Sequence, residues 1–300
     1  MRKRQKTKAM LAASMAFFGT LGLFTRNMPV SSGELALYRA VLATVLIVVY
    51  LAVSGQKIEL RAIRKEVPLL LISGMAMGIH WLLLFQAYRS TTISAATLSY
   101  YFAPVIVTVV CPFLFHEKLT GKQILCFVMS TAGLILIIGV SGQGQDGRDF
   151  LGILYGLGAA VFYAVVILMN KFIKTTAGIH RTLLQFIASV VTLAPYVACT
   201  GGMSLGGLDM TGWICLLTVG LIHTGVTYCM YFSALKDLPG QEAAILSYID
   251  PLTAVLVSAV FLGEQMTLRQ LAGGLLILGF TLWNEKDSGK KEKAESRDPE

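Results

Sequence analysis

The sequence predicts an all-α integral membrane protein, with ten transmembrane helices arranged as two inverted five-helix repeats. Three observations predict it: an apolar composition, ten long apolar runs, and an internal match at a fixed offset. Of the 300 residues, 55% are hydrophobic and 14% charged, and the mean hydropathy is +0.68. A soluble domain carries about a quarter charged residues, so this chain lacks the charge to cover itself in water.

A helix needs about 20 mostly apolar residues to cross the hydrocarbon core. Ten stretches qualify: 8–25, 33–53, 67–88, 93–115, 121–140, 150–171, 182–200, 211–234, 241–262 and 267–284. A membrane barrel would show short alternating segments instead. The opening MRKRQKTK and the apolar run after it imitate a signal peptide. They lack a small-x-small cleavage site, so the run is expected to stay as the first helix. The five cysteines, Cys111, Cys126, Cys199, Cys215 and Cys229, lie in apolar runs without CxxC spacing and read as packing residues. Residues 285–300 form a charged tail with nothing to pack and are expected to be disordered.

Orientation follows from the basic residues. With the N-terminus inside, twenty of the 25 lysines and arginines fall on the cytoplasmic side, in Arg2–Lys8, Lys57–Lys65, Lys118–Lys122, Lys171–Arg181, Lys236 and the tail. Only Arg26, Arg89, Arg148 and Arg269 fall outside, and Arg39 lies within the second span. Both termini are therefore expected in the cytoplasm, most simply at the cell membrane. Topology also explains the net charge of +8 without any nucleic-acid partner.

Shifting the chain by 147 residues aligns FQAYRSTTISAATLSYYFAPVIVTVVCPFLFHEKLTGKQ with FSALKDLPGQEAAILSYIDPLTAVLVSAVFLGEQMTLRQ. Phe85 meets Phe232, Tyr101 meets Tyr248, Pro104 meets Pro251 and Glu117 meets Glu264. Each half then holds five helices, over 8–140 and 150–284. An odd number makes the second half enter from the opposite side, a transporter pattern that places a substrate site near the midplane between the halves.

These residues resemble the drug/metabolite transporter superfamily of EamA type. The resemblance rests on Pro104 to Gly133 with Glu117, Thr120 and Gln123, on its repeat LSYIDPLTAVLVSAVFLGEQMTLRQLAGGLLILG, and on LALYRAVLA in the second helix. It covers residues 8 to 284. It implies export of amino acids or other metabolites, with eukaryotic relatives carrying nucleotide sugars. The chain departs from the pattern at Ala103, where the second repeat has Asp250, and in its intramembrane histidines.

Glu117-x-x-Thr120-x-x-Gln123 and its copy Glu264-x-x-Thr267-x-x-Gln270 read as capped helix starts after tight turns, and Ser31-x-x-Glu34 as a cap for the second helix. Pro104 and Pro251 each remove a backbone hydrogen bond and free a carbonyl, on Tyr100 and Ser247. Such a gap is tolerated in lipid where protein or a wet cavity covers it. Intramembrane ionisable groups mark functional sites by default. Arg39 either holds a neighbouring carbonyl or binds an anion. Asp250 lies too deep for its short side chain to reach the surface easily, so it must be protonated, paired or wet, either in a functional role or in a pairing that holds the fold. His80 and His223 sit near mid-membrane, either bonded between helices or as substrate or proton sites. Trp81, Tyr100, Tyr101 and Tyr248 are too deep for an interfacial belt and are candidate cavity walls. Gly74-x-x-x-Gly78 and Gly152-x-x-x-Gly156 allow close helix contact within or between protomers.

No phosphate loop, metal cluster or nucleophile–base pair stands out, so neither a cofactor nor ATP-driven pumping is expected. The sequence thus points to a secondary transporter exporting a small metabolite such as an amino acid by alternating access, embedded in lipid, with protons a candidate coupling ion. Two alternatives stay open: an uncoupled facilitative pore, and a membrane enzyme acting on a lipid-borne substrate. The sequence leaves the oligomeric state open.

Overall fold

The computed structural model of the chain describes residues 2–26, 28–56, 63–115, 121–141, 148–173, 175–176, 178–200, 205–237, 246–247 and 249–295. Every regular element among them is helical. In order they are α1 (Arg2–Gly19), α2 (Leu21–Thr25), α3 (Ser32–Ser54), α4 (Val67–Ser90), α5 (Ile93–Tyr100), α6 (Ala103–Phe115), α7 (Gly121–Ser141), α8 (Arg148–Phe172) and α9 (Gly178–Thr200). After a short 3-10 turn at Leu205–Gly207 come α10 (Met210–Leu217), a π-helical stretch Thr218–Val226, α11 (Thr227–Asp237), α12 (Ile249–Leu262) and α13 (Leu268–Glu295).

Six segments are long and apolar enough to cross a membrane: Gln5–Thr25, Ser32–Ser54, Val67–Ser90, Arg148–Asn170, Gly178–Thr200 and Met210–Tyr231. Four shorter apolar helices, Ile93–Val107, Ile124–Leu136, Ile249–Leu262 and Leu268–Phe280, lie where the other four spans are expected.

Helix α3 shows how these residues meet lipid. Its row Val41, Val45, Val49 and Val53 stands exposed, while Leu35, Arg39, Ala43, Ile47 and Leu51, also four apart, form the buried row. Exposed apolar rows of this kind need a membrane or a partner to cover them. Ser31 opens the helix with a full capping box: its hydroxyl accepts from the Glu34 amide, and the Glu34 carboxylate accepts from the Ser31 amide. At the other end Gly55 adopts φ +67°, and the amides of Gly55 and Gln56 return to the carbonyls of Ala52 and Leu51. Only glycine takes that left-handed turn without strain.

The helices pack along their small residues. A Cβ on Gly74 would lie 2.4 Å from the Gln185 carbonyl oxygen, so α4 and α9 touch backbone to backbone. Gly78 meets Ser189 and Leu193, also on α9. Gly152 and Gly156 meet Thr91 and the Ser99–Ala96 surface of α5. Both small-residue motifs therefore work within one chain. The principal helix pairs are α4 with α8 and α9, α3 with α9 and the π stretch, α1 with α11 and α12, α5 and α6 with α8, and α7 with α13.

Three features differ from the sequence expectation. The fourth span is broken: α5 ends at Tyr100 and α6 begins at Ala103, with a turn at Tyr101–Phe102. Pro104 lacks the N–H that would hold the Tyr100 carbonyl, and it restricts the residue before it. The eighth span, expected as a plain helix over 211–234, carries the nine-residue π stretch. Finally, the tail expected to be disordered from 285 continues α13 as far as Glu295. Its Lys, Glu and Ala residues are strong helix formers and outnumber Asp287, Ser288 and Gly289, which are not.

The motif around Glu264 reaches further than a local cap. Gly263, at φ +64°, turns the chain after α12. The Glu264 carboxylate then accepts from the Ile93 amide at 3.0 Å and the Ser94 amide at 3.3 Å, and pairs with Arg26. Thr92 caps the next donor of α5, from Ala95. A carboxylate on the N-terminal amides of α5 fits both the orphan donors and the helix dipole there. The Ser94 and Ser258 hydroxyls bond across the same joint at 2.7 Å. Elsewhere Glu66 holds the turn before α9, accepting from the Thr175 and Thr176 amides at 2.7 and 2.9 Å. The first copy of the motif, with Glu117 and Thr120, lies outside the described residues.

Thr267 and Gln270 do form the expected box at the start of α13: each side chain accepts from the other residue's amide, at 3.2 and 3.0 Å. Thr267→Ala is therefore expected to cost about 1 kcal/mol of stability while leaving solute recognition intact. An unchanged melting temperature combined with lost solute binding would refute the capping role.

Candidate functional site

Arg39 occupies the middle of the buried row of α3 and is 2% exposed. It does not snorkel out of the membrane region. Its guanidinium lies over the Trp81 ring at 4.4 Å and the Phe85 ring at 5.2 Å, a favourable cation–π arrangement. Its Nε donates to the Thr224 hydroxyl at 2.9 Å. That hydroxyl donates in turn to the Val219 carbonyl five residues back, at 2.8 Å.

The π stretch makes this reach possible. Its wider turn brings residues five apart onto one face. Gly220 and Gly225, spaced by five, both face α3, where a Cβ would lie 2.4 Å from Leu42 and 2.2 Å from Leu46. Glycines let the π stretch close on α3, and Thr224 beside them meets Arg39. His223, its neighbour, is 2% exposed and bonds the Thr20 hydroxyl through Nε2 at 2.8 Å. Its ring also meets Phe24 at 5.0 Å and Phe17 edge-on at 6.4 Å.

On α4, His80 precedes Trp81 and joins a second group. Its Nδ1 lies 3.0 Å from the Ala159 carbonyl, which only accepts, so Nδ1 carries the proton. The imidazole lies between Tyr163 and Tyr100, at 5.2 and 5.1 Å. Tyr100 continues edge-on to Tyr101 at 5.2 Å. The Tyr101 hydroxyl reaches the Asp250 carboxylate at 2.8 Å and the Ser247 carbonyl at 3.2 Å. That carbonyl is the one Pro251 leaves without a helical donor, so a side chain from another span covers the gap.

A further aromatic path leaves Trp81: Trp81 to Phe186 at 5.4 Å, Phe186 to Tyr228 at 5.5 Å, and Tyr228 to Phe18 at 4.9 Å. Arg39, His80 and Trp81 are sealed, whereas Tyr100, Tyr101, Tyr163, Tyr228, Phe18 and Asp250 keep part of their surface open. Of the residues singled out in the sequence, His80, Tyr100, Tyr101 and Asp250 meet in one group and Arg39 with Trp81 in another. His223 sits to the side, on α1 and α2. Tyr248 lies outside the described residues. Sequence reasoning missed Thr224, Phe85, Tyr163, Phe18 and Phe186. Only the glycine pair around Thr224 carries a signal, and only once the π turn is known.

The EamA-like transporter family matches the chain twice, over residues 6–139 and again over 150–284. The chain belongs to the EamA-like transporter family. This EamA protein is similar to an uncharacterized transporter, YxxF, of Bacillus subtilis strain 168, with 29% identity over 291 residues, 96% of this chain and 93% of that one. It is also similar to a protein of Salmonella typhimurium strain LT2 named a probable amino-acid metabolite efflux pump, with 26% identity over 228 residues, 72% of this chain and 76% of that one. A solved crystal structure superimposes with a TM-score of 0.65 over 92% of this chain and 96% of that one; at 16% identity the likeness concerns the fold alone. The EamA protein is thus an integral membrane transporter of a small molecule, and not an enzyme.

Proposed function

We propose that this EamA protein is a secondary transporter that exports a small metabolite, such as an amino acid, from the cytoplasm by alternating access between two inverted five-helix halves. One observation carries the reading. Three buried or part-buried polar bonds, Arg39–Thr224, Thr20–His223 and Tyr101–Asp250, all run from the first half to the second. Polar groups are costly inside a membrane and collect along solute paths, and in inverted-repeat transporters that path lies between the halves.

The helix pairing supports the inverted arrangement. Under the repeat, α4 corresponds to α10–π–α11, α8 to α1, α5–α6 to α12, α3 to α9 and α7 to α13. The contact of α4 with α8 is then answered by α11 with α1, α4 with α9 by the π stretch with α3, and α5 with α8 by α12 with α1. The contacts α3–α9 and α7–α13 each join an element to its own counterpart, as pairs beside a pseudo-two-fold axis would. In this arrangement the four shorter apolar helices complete a set of ten spans. The relative named as an amino-acid metabolite efflux pump supports the solute class.

The test is solute flux in proteoliposomes with and without an imposed pH gradient. Gradient-driven accumulation of an amino acid or similar metabolite is expected. Gradient-independent equilibration would favour the facilitative pore, and no flux of any solute would sink the transport mechanism. The distribution of basic residues orients the protein with both termini and the segment around Lys65 in the cytoplasm. A lone cysteine at position 65, in a background lacking the five native cysteines, is therefore expected to resist membrane-impermeant reagents in intact cells. Its labelling would reverse the orientation.

A further inference from the structure

We infer that the free end of the Arg39 guanidinium is the docking point for a carboxylate on the transported solute, whose apolar or unsaturated body lies along the neighbouring aromatic rings. The inference rests on the transport reading above and adds the chemistry of the solute. Arg39 is sealed inside the bundle, and an arginine keeps its charge at neutral pH. Its Nη1 is buried with no hydrogen-bond partner, and no carboxylate of the described residues pairs with the guanidinium. A buried charge without a counter-charge is among the costliest arrangements a protein can hold. The Trp81 and Phe85 rings and the single Thr224 bond offset only part of that cost.

The surroundings hold the group ready for an anion. Thr224 spends its proton on Val219, so its oxygen can only accept from Arg39, and this bond uses Nε. The two rings fix the guanidinium plane. What remains is the terminal edge, with Nη1 bare, and its paired donors match the two oxygens of a carboxylate. The Trp81–Phe186–Tyr228–Phe18 path runs from this point, and Tyr228 and Phe18 keep open surface. A planar or apolar solute body would lie along it. Structural roles for Arg39 predict a satisfied guanidinium, which is not what the bundle contains.

The experiment uses the full chain with Trp213→Phe and Trp283→Phe, leaving Trp81 as the only one of the three tryptophans. Its emission reports on the guanidinium beside it. The probes are phenylalanine, leucine and 3-phenylpropionate, the amides and decarboxylated amines of the two amino acids, and inorganic phosphate. At least one carboxylate is expected to shift Trp81 emission, with roughly ten- to hundredfold weaker binding of its amide. Arg39→Gln should abolish that preference without lowering the melting temperature, because it removes an unpaired charge; Arg39→Lys should restore part of it. The acid–amide comparison on the parent protein stands even where Arg39→Gln does not fold. Equal response to acid and amide, no response to any carboxylate, an equal response to phosphate, or unchanged acid binding by Arg39→Gln overturns the assignment. Flux of an uncharged or cationic solute that Arg39→Gln leaves intact would overturn it while sparing the transport reading. Carboxylate binding without flux would do the reverse.

Discussion

Gly74→Ala is expected to lower the melting temperature by roughly 6–10 °C, the equivalent of about 3 kcal/mol in a chain of this size. The added methyl would sit 2.4 Å from the Gln185 carbonyl oxygen and 2.6 Å from the Ala188 Cβ. Neither is the loose end of a flexible chain, so α4 and α9 must separate. Separation also stretches the Ser189 hydroxyl bond to the Gly74 carbonyl, now 2.7 Å. The gain in helix propensity from glycine to alanine, about 1 kcal/mol, is too small to compensate. Gly279→Ala is the internal control. That glycine lies within α13 with nothing in the way of a Cβ, so the same change there is expected to be neutral or mildly stabilising. Thermal unfolding in detergent measures both. Equal melting temperatures for the two variants would mean that α4 and α9 are not in the close contact described.

Asp250→Asn is expected to leave a folded protein that still exchanges solute but no longer concentrates it in response to a pH gradient. Asn keeps an oxygen to accept from the Tyr101 hydroxyl, so the bond at 2.8 Å can survive the change. What it removes is a group able to carry a proton. Asp250 keeps part of its surface open and sits beside the carbonyl that Pro251 frees, a place where a proton could be exchanged from either side in turn. The matching position of the first half is Ala103, so only one carboxylate is available for the task. A gradient of one pH unit is worth about 1.4 kcal/mol, or roughly a tenfold solute ratio for one proton per solute. Loss of that ratio in reconstituted vesicles is the expected result. Uphill accumulation equal to the parent's would rule out the coupling role. A large fall in melting temperature with unchanged pH dependence would make the Tyr101–Asp250 bond purely architectural.

Much of the architecture is legible because membrane physics is simple: long apolar runs announce spans. The Ser31–Glu34 box is legible because a cap is local, needing only the right residues three apart. The Ser247 carbonyl could be named in advance because proline chemistry frees a known atom, although its partner Tyr101 could not. The π stretch was hidden because TVGLIHTGV reads like any apolar helix; it forms where Gly220 and Gly225 can close on Leu42 and Leu46 of a distant segment. For the same reason nothing in the sequence singles out Thr224, and Arg39 keeps two open roles. Glu264 reads in the sequence as part of its own turn, whereas its carboxylate serves α5, some 170 residues away in sequence. Long-range partners of this kind leave no periodic trace.

The joint at Glu264 has a kinetic consequence. One carboxylate there serves Arg26, the amides of Ile93 and Ser94, and the Ser94 hydroxyl. These donors come from the end of the first span and the start of the fourth, while the acceptor follows the ninth. Pulling the three segments apart cannot proceed one bond at a time, because each loss leaves a charge or a helix end bare. The bonds are therefore expected to give way together rather than in steps.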